Sequence, residues 1–230
     1  AGGGAPSAEQ VEQLRTLSAA VEAHQQRELD LIAEELAEEV RRLRPEFVGM
    51  KLWNGDGFTG SVHIAEHLRS QFPNLPIHAG GPQCSWWGEA IFRHTKVFTT
   101  LTHGEGERVI QELAEHALGR QRLSAIPGLI YLEDGQVRQN QPDFSLELDD
   151  LPMPVYDEAV YPAMAGDEKI KIIVLDDSRG CPYRCAFCMH PIESGGKLRT
   201  ASAELLVNRM EAMRESHGIT AFRFAGSSTP

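Results

Sequence analysis

The first part of the chain repeats apolar residues at the spacing of a helix. Within residues 29–43, apolar side chains recur three and four positions apart and form one stripe. Acidic residues dominate the first part of this stretch and arginines its end, which suits the helix dipole. Pro45 cannot continue a helix. The pattern therefore predicts an N-terminal helical segment over residues 1–45, with the helix itself over 8–44.

From residue 46 the apolar pattern changes to short runs that alternate with helical stretches. The runs predict strands at 47–53, 76–80 and 96–101, and the stretches predict helices at 61–72, 89–93 and 109–118. A glycine-rich segment, 54–60, separates the first strand from its helix and predicts a loop. Such alternation favours a parallel sheet with helices on its faces, whose ligands bind at the carboxyl ends of the strands. We expect one α/β domain over residues 46–123.

The pattern changes again over residues 124–168, which predict a connector. Residues 126–137 indicate a hairpin that turns at Asp134 and Gly135, and the segment 148–162 is rich in proline and acid. Alternation resumes with a strand at 169–175, a helix at 203–216 that Gly218 ends, and a strand at 219–225. Residues 169–230 therefore begin a second α/β unit.

Composition narrows the class of protein. The 230 residues are 41% hydrophobic and 24% charged, as in ordinary globular proteins, and contain no apolar run of about 18 residues. The net charge of −11 disfavours binding to nucleic-acid phosphates without sequence preference. Four cysteines, three of them in one motif, do not form a disulfide framework, and Cys84 is expected to be a buried core residue. We expect a cytoplasmic protein that contacts neither nucleic acid nor a membrane.

Three of the cysteines form the most informative motif. Cys181, Cys185 and Cys188 have the spacing Cys-x3-Cys-x2-Cys in a loop that follows a strand. A structural zinc site takes four ligands, and an electron-transfer cluster is usually held by four cysteines. Three thiolates therefore favour an iron–sulfur cluster with one open iron. A zinc site that His190 completes is the alternative from another class of protein.

This motif resembles the signature of the radical S-adenosylmethionine (SAM) superfamily, Cys-x3-Cys-x-aromatic-Cys, in which Phe187 occupies the aromatic position. The resemblance implies a [4Fe-4S] cluster on a partial (β/α) barrel, and an open iron that chelates SAM. An electron from the cluster then cleaves SAM to a 5′-deoxyadenosyl radical. It also implies SAM contacts from Phe187, Gly226 and Ser227. The segment 226–230 lacks the glutamate that many members place there.

A second resemblance covers residues 46–118 and the segment 151–157. The order of two glycine motifs, Gly-Gly-Pro and Gly-Glu-Gly-Glu, and a Leu-Pro-x-Pro-x-Tyr-Asp connector are similar to the cobalamin-dependent branch of that superfamily. The resemblance implies a Rossmann-like cobalamin-binding domain over 46–123, because glycines let the backbone approach the corrin. The implied cobalamin-binding residues are Gly80, Gly81, Pro82, Gly104, Glu105, Gly106 and Glu107.

The chain departs from this branch in two ways. The run Asp-x-His-x2-Gly, which often supplies the lower cobalt ligand, does not occur, so we expect no histidine there. The first strand of a full cobalamin domain is also not evident before Phe47. A radical SAM barrel needs about six strand–helix units, and residues 169–230 supply hardly two, so we expect the front of a longer polypeptide.

Together the motifs indicate a cobalamin-dependent radical SAM enzyme, with a methyltransferase as the leading hypothesis. The methyl group would pass from methylcobalamin to a carbon radical on a small-molecule or peptide substrate. An electron donor of the flavodoxin or ferredoxin type would reduce the cluster. The alternatives are a radical SAM cyclase, oxidase or methylthiotransferase of the same branch, and a non-catalytic metal-binding module.

Overall fold

The computed structural model describes residues 7–156 and 172–226, and its first element is a long helix, α1, Ala8–Leu43. Ser7 caps the helix: its side chain accepts a hydrogen bond from the backbone N–H of Gln10, and the Gln10 side-chain oxygen accepts one from the backbone N–H of Ser7. The helix ends where Arg44 turns into the left-handed region, directly before Pro45. The predicted helix is confirmed within one residue.

A five-stranded sheet follows, in the spatial order β1-β2-β3-β4-β5. Strands β1, β2 and β3 are parallel, whereas β4 and β5 form a hairpin that joins antiparallel to β3. The bounds of the strands are β1 Val48–Lys51, β2 Ile77–Gly80, β3 Thr100–Thr102, β4 Leu129–Glu133 and β5 Gln136–Gln139. The connecting helices are α2 Asp56–Gln71, α3 Pro82–Trp87, α4 Ala90–His94 and α5 Glu107–Ala117.

The hairpin that the sequence predicts between residues 126 and 137 is present, but it belongs to this sheet. Ile130 and Leu132 of β4 pack with the core of the preceding strands, and the backbone of β4 pairs with β3 along three residues. The sheet therefore continues past residue 123 and is mixed rather than wholly parallel.

Three further predictions differ from the structure. The segment 54–60 is mostly helix, because α2 begins at Asp56 and Gly60 lets it approach Leu29 of α1 closely. Helix α3 was not predicted, although Pro82 at its first position suits a helix start. Strand β3 is shorter than predicted: it begins at Thr100, and residues 97 and 98 before it are buried in the core but are not part of the strand.

The two faces of the sheet are covered unequally. Helices α1, α2, α3 and α4 cover one face, where Leu52, Ile77 and Leu101 belong to the larger core cluster. Helix α5 packs on the other face beside Leu129 and Tyr131. Because α5 covers only part of that face, a cleft stays open over the parallel strands.

The second unit begins with β6, Ile172–Leu175, which pairs in parallel with β9, Ala221–Phe224. Helix α7, Ala203–His217, directly precedes β9 in the chain. Gly218 ends α7 in the left-handed conformation, as predicted. Residues 169–171 of the predicted strand lie outside the described part of the chain. Between β6 and α7 lie two short antiparallel strands, β7 Ser178–Arg179 and β8 Arg199–Thr200, and helix α6, His190–Ser194. No helix within residues 7–156 and 172–226 is long and apolar enough to cross a membrane.

Candidate cofactor-binding site

A cleft of about 690 Å³ lies at the carboxyl ends of β1, β2 and β3, where ligands of α/β sheets bind. Helix α5 forms one wall, and the ends of the strands form the floor. Glycine is its most frequent lining residue, so the backbone is open to close approach by a flat ligand. The glycines that line the cleft are Gly49, Gly80, Gly81, Gly104 and Gly106.

Six of the seven predicted cobalamin-binding residues line this cleft. They are Gly80, Gly81, Gly104, Glu105, Gly106 and Glu107. Pro82 does not line it, because it starts α3 and leads the chain away. Gly81 has φ of 100°, and a Cβ there would lie 2.9 Å from the Leu52 carbonyl oxygen, so this turn requires glycine. A side chain at Gly80, in contrast, would have space and would project beside Thr102.

His78 contributes a buried imidazole to the same face of the sheet. Its Nδ1 lies 2.8 Å from the Thr100 hydroxyl, and its ring packs edge-on against Phe47. Burial lowers its pKa from 6.5 to about 4, with a smaller contribution from the nearby charge of His116. The imidazole is therefore neutral at physiological pH. The contact of His78 with the cleft could not be inferred from its position in a strand.

The two glutamates of the cleft are bound by arginines of the second unit. Both terminal nitrogens of the Arg199 guanidinium donate to Glu105, at 2.8 and 2.6 Å, and Arg179 donates to Glu107 at 2.6 Å. Burial acts to lower the pKa of Arg179, but hydrogen bonds to Glu107 and Asp176 outweigh it and raise that pKa overall. The pKa of Glu107 is lowered, since its contacts with Arg179 outweigh its burial. These contacts therefore occupy the carboxylates of two residues that the resemblance implied for cobalamin binding.

The three predicted cluster ligands lie in the loop between β7 and α6. Cys185 is exposed, Cys181 and Cys188 are half-buried, and the Cys188 N–H donates to the Cys185 carbonyl at 3.0 Å. As donors, three accessible thiols in one short loop fit a cluster that is held at three corners. The loop does not gather them: across the described ranges, no three His, Cys, Asp or Glu side chains are grouped to hold a metal ion. Phe187 is 90% exposed and covers no cysteine.

The predicted SAM contact at Gly226 lies at the carboxyl end of β9, beside the end of β6. Its N–H donates to the buried carboxylate of Asp177 at 2.7 Å, and a Cβ at this position would overlap Ser178 and Asp177. Glycine is therefore required here. Ser227, the other predicted contact of this segment, lies outside the described residues.

The cleft and the cysteine loop meet at Arg179. This residue lines the cleft, is the last residue of β7, and precedes Cys181 by two positions. Its importance was missed at the level of sequence, although its place directly before the motif Gly-Cys-Pro was a usable signal. Cys84, in contrast, is the buried core residue that the sequence predicts, and burial raises the pKa of its thiol to about 12.

Sequence comparisons found relatives, although no protein-family model matches the chain. An uncharacterized methyltransferase from Pyrococcus horikoshii is 27% identical over 199 residues, which cover 85% of this chain and 42% of that protein. The cobalamin-dependent radical SAM methyltransferase TokK from Streptomyces tokunonensis is 28% identical over 70% of this chain and 24% of its own length. The chain thus spans less than half of the length of these relatives.

Solved structures of low sequence identity share the fold. The cobalamin-dependent SAM radical enzyme OxsB, with aqua-cobalamin and SAM bound, matches 85% of this chain and 27% of its own with a TM-score of 0.71 at 18% identity. The radical SAM methyltransferase TsrM from Kitasatospora setae, with cobalamin and a [4Fe-4S] cluster bound, matches 80% of this chain and 38% of its own with a TM-score of 0.60 at 20% identity.

The same resemblance is supported by the glycine-lined cleft, by the cysteine loop beside it and by these relatives. The predicted resemblance is confirmed: this chain is related in sequence and in fold to the cobalamin-dependent radical SAM enzymes.

Proposed function

We propose that this chain is the cofactor-binding part of a cobalamin-dependent radical SAM methyltransferase. The observation that carries the proposal is that a glycine-lined cleft and a loop with three accessible thiols meet at one residue, Arg179. The whole protein would methylate a carbon atom of a small-molecule or peptide substrate. Methyltransferases among the relatives support this reaction class.

The cleft suits cobalamin in shape and in chemistry. Its volume of about 690 Å³ is in the range of small-molecule and cofactor sites, and its strand-end glycines leave backbone groups open to a broad, flat ring. Lys51 brings positive charge to its rim, which suits the phosphate of the nucleotide tail, whereas the charge of Arg179 is bound by Glu107 and Asp176. Because Glu105 and Glu107 are bound to arginines, we propose that they stabilise the shape of the cleft wall.

Cys181, Cys185 and Cys188 would hold the cluster, and Gly226 would let SAM approach the end of β9. When bound, the cluster supplies one electron to SAM and cobalamin supplies a methyl carrier, while the protein positions both and excludes water. Phe187, whose ring is 90% exposed, would pack beside the cluster. An electron donor of the flavodoxin or ferredoxin type, and a cytoplasmic location with reduced thiols, follow from this chemistry.

A single substitution in the cleft tests the cobalamin site. Leucine in Gly80→Leu has room at its Cβ, 3.8 Å from Thr102, yet its side chain would fill the cleft. Titration of the chain with aquacobalamin, followed by absorption, should show binding that Gly80→Leu weakens at least about tenfold. The matched control is Ser124→Leu, a substitution at an exposed position, and this variant should bind aquacobalamin as the unchanged chain does.

Two results would reject this site: no binding of cobalamin by the unchanged chain, or equal affinity for Gly80→Leu at an unchanged melting temperature. The reaction itself is decided on the full natural polypeptide by product mass. A gain of one methyl group supports the methyltransferase, whereas a loss of hydrogen or a gain of sulfur would indicate a cyclase, an oxidase or a methylthiotransferase.

A further inference from the structure

Two arginines lie directly opposite each other at the base of the loop that carries the cysteines. Residues 178–200, here called the cysteine hairpin, consist of β7, the cysteine loop, α6 and β8. In the register of β7 and β8, Arg179 is the partner of Arg199. Like charges in directly opposite positions destabilise a strand pair unless counter-charges bind them.

Asp176 of the same unit binds Arg179 at 2.7 Å, and the other counter-charges come from the first unit of the molecule. Arg199 grips Glu105 with two nitrogens, and Arg179 binds Glu107 and lies 3.5 Å from Glu105. The two glutamates stand two residues apart at the start of α5. We call these four residues the arginine–glutamate clamp. Paired, two-pronged contacts of this kind fix orientation as well as distance.

The clamp is shielded from water at its centre. The side chain of Arg199 is 6% exposed and that of Glu105 12%. Arg199 also donates to the carbonyl oxygen of Leu146, in the connector, at 2.7 Å. Its Nε is buried and, in the part of the chain described, has no hydrogen-bond partner. A buried charge whose partner is removed is strongly destabilised, so each member of the pair depends on the other.

An aromatic side chain of the connector fills the space beside the clamp. The ring of Phe144 packs so closely against Gly104 and Gly195 that a Cβ at either glycine would contact it, at 3.0 Å for Gly104. His103 meets the same ring edge-on and lies 3.2 Å from the Ile192 carbonyl oxygen of α6. The loop of residues 103–106 and the cysteine hairpin are therefore joined by apolar packing as well as by ion pairs.

The pairing of its own strands does little to hold the hairpin in place, although its helix α6 also packs against α3. Its two strands pair over only two residues each, which is far below the size of an independently stable hairpin. Its large apolar side chains, Tyr183 and Phe187, are exposed. The contacts at its base, together with the packing of α6 against α3, therefore supply most of its orientation.

We propose that Arg179 and Arg199 are positioning residues, which hold the cysteine hairpin at the edge of the glycine-lined cleft through Glu105 and Glu107. The placement of the hairpin follows from contacts in the chain itself. Its consequence, that two cofactors are held at a fixed separation, rests on the proposed function.

Hydrogen exchange of the cofactor-free chain tests the placement. Replacement of one partner, Arg199→Met, should raise the exchange of residues 104–107 and 180–198 at least about tenfold and leave the β4–β5 hairpin unchanged. Glu105→Gln should do the same, and the double variant should add little, because both remove one interaction. The matched control is Arg138→Met, which breaks an exposed pair with Glu133 and should change exchange nowhere by more than about twofold.

The more exposed member offers a second variant should Arg199→Met fail to fold. Arg179→Gln removes the contact with Glu107 and should raise exchange in the same two segments. Unchanged exchange in both segments, a uniform rise through the whole chain, or additive effects in the double variant would each overturn the proposal.

A second readout separates positioning from stability. In the chain loaded with cob(II)alamin and reduced cluster, Arg199→Met should weaken the magnetic interaction between the two centres while each centre keeps its own signal. An unchanged interaction would overturn the positioning role. Failure of either cofactor to bind would count against the proposed function alone, since the exchange experiment needs neither.

Discussion

The five-stranded unit and the cysteine hairpin are ordered by different physical means. In the first, Phe92, Phe98 and Leu101 are buried to within 2% of full coverage, and the backbone is paired across five strands. In the second, Phe187 is 90% exposed and only two residues of each strand pair. Burial of apolar surface stabilises the first region, whereas ion pairs and glycine contacts at its base hold the second.

This difference teaches where the sequence can be changed at low cost. Apolar pattern determines the five-stranded unit, so a lost side chain there opens a cavity. The loop of the hairpin contributes little to stability in the ligand-free chain and keeps its side chains accessible. Such a division suits a rigid cleft beside a loop whose thiols have to reach a cofactor.

Truncation of one aromatic residue in each region should break the comparison most clearly. Phe92→Ala should lower the free energy of unfolding by about 3–5 kcal/mol, because it removes a fully buried ring. Phe187→Ala should change it by less than about 0.5 kcal/mol, because the ring is exposed. Urea denaturation of both variants measures these values. A cost above that limit for Phe187→Ala would mean that the hairpin has a core of its own.

The pH dependence of stability sharpens the description of the five-stranded unit. The pKa of His78 is lowered from 6.5 to about 4, so the unfolded chain binds a proton between these values while the folded chain does not. Stability is therefore greatest above pH 6.5 and falls toward pH 4, by about 3 kcal/mol from this group.

Denaturation at neutral and at mildly acidic pH tests that contribution. His78→Gln should remove most of the fall across this window. Thr100→Val, which deletes the hydroxyl partner and keeps the imidazole, should lower stability but preserve the fall. If His78→Gln retained the full pH dependence, other groups would be responsible for it.

Two glycines with similar backbone angles compare the hairpin with the five-stranded unit. Gly180 has φ of 83° and Gly119 has φ of 75°, but a Cβ would overlap the Lys197 carbonyl only at Gly180. Alanine at either position costs about 1–2 kcal/mol in backbone strain, and Gly180→Ala should cost about 1–3 kcal/mol more. Limited proteolysis within residues 180–198 measures this local opening, and equal cleavage of both variants would argue against a fixed base.

The smallest effect is expected for a cysteine of the loop. Cys185→Ser should shift the free energy of unfolding of the ligand-free chain by less than about 0.5 kcal/mol, because the side chain is exposed. Thermal melts under reducing conditions measure it. A larger loss would show that the thiol supports the fold and not only a cofactor.

Elements with a clear apolar period were predictable from the sequence. The pattern placed α1 and β2 within one residue, and it found α5, α7 and the hairpin of β4 and β5. The three cysteines and four of the five glycines of the cleft were also singled out, because each motif is local in sequence.

The remaining features depend on contacts between distant residues. The pair Arg199–Glu105 joins positions 94 residues apart, and Arg179–Glu107 joins positions 72 apart, so no local pattern reports them. The helical start of α2 at Asp56 was hidden by the glycines of the segment 54–60, of which Gly60 allows close packing against Leu29. The exposure of Phe187 likewise depends on how the loop lies on the second unit.

The account depends most on the cysteine loop as the site of an iron–sulfur cluster. The direct measurement is iron and acid-labile sulfide in the chain after anaerobic reconstitution, beside a variant in which Cys181, Cys185 and Cys188 are serine. We predict about four iron atoms per unchanged chain and none in the variant. Equal iron in both proteins, or zinc without sulfide in the unchanged chain, would contradict the account.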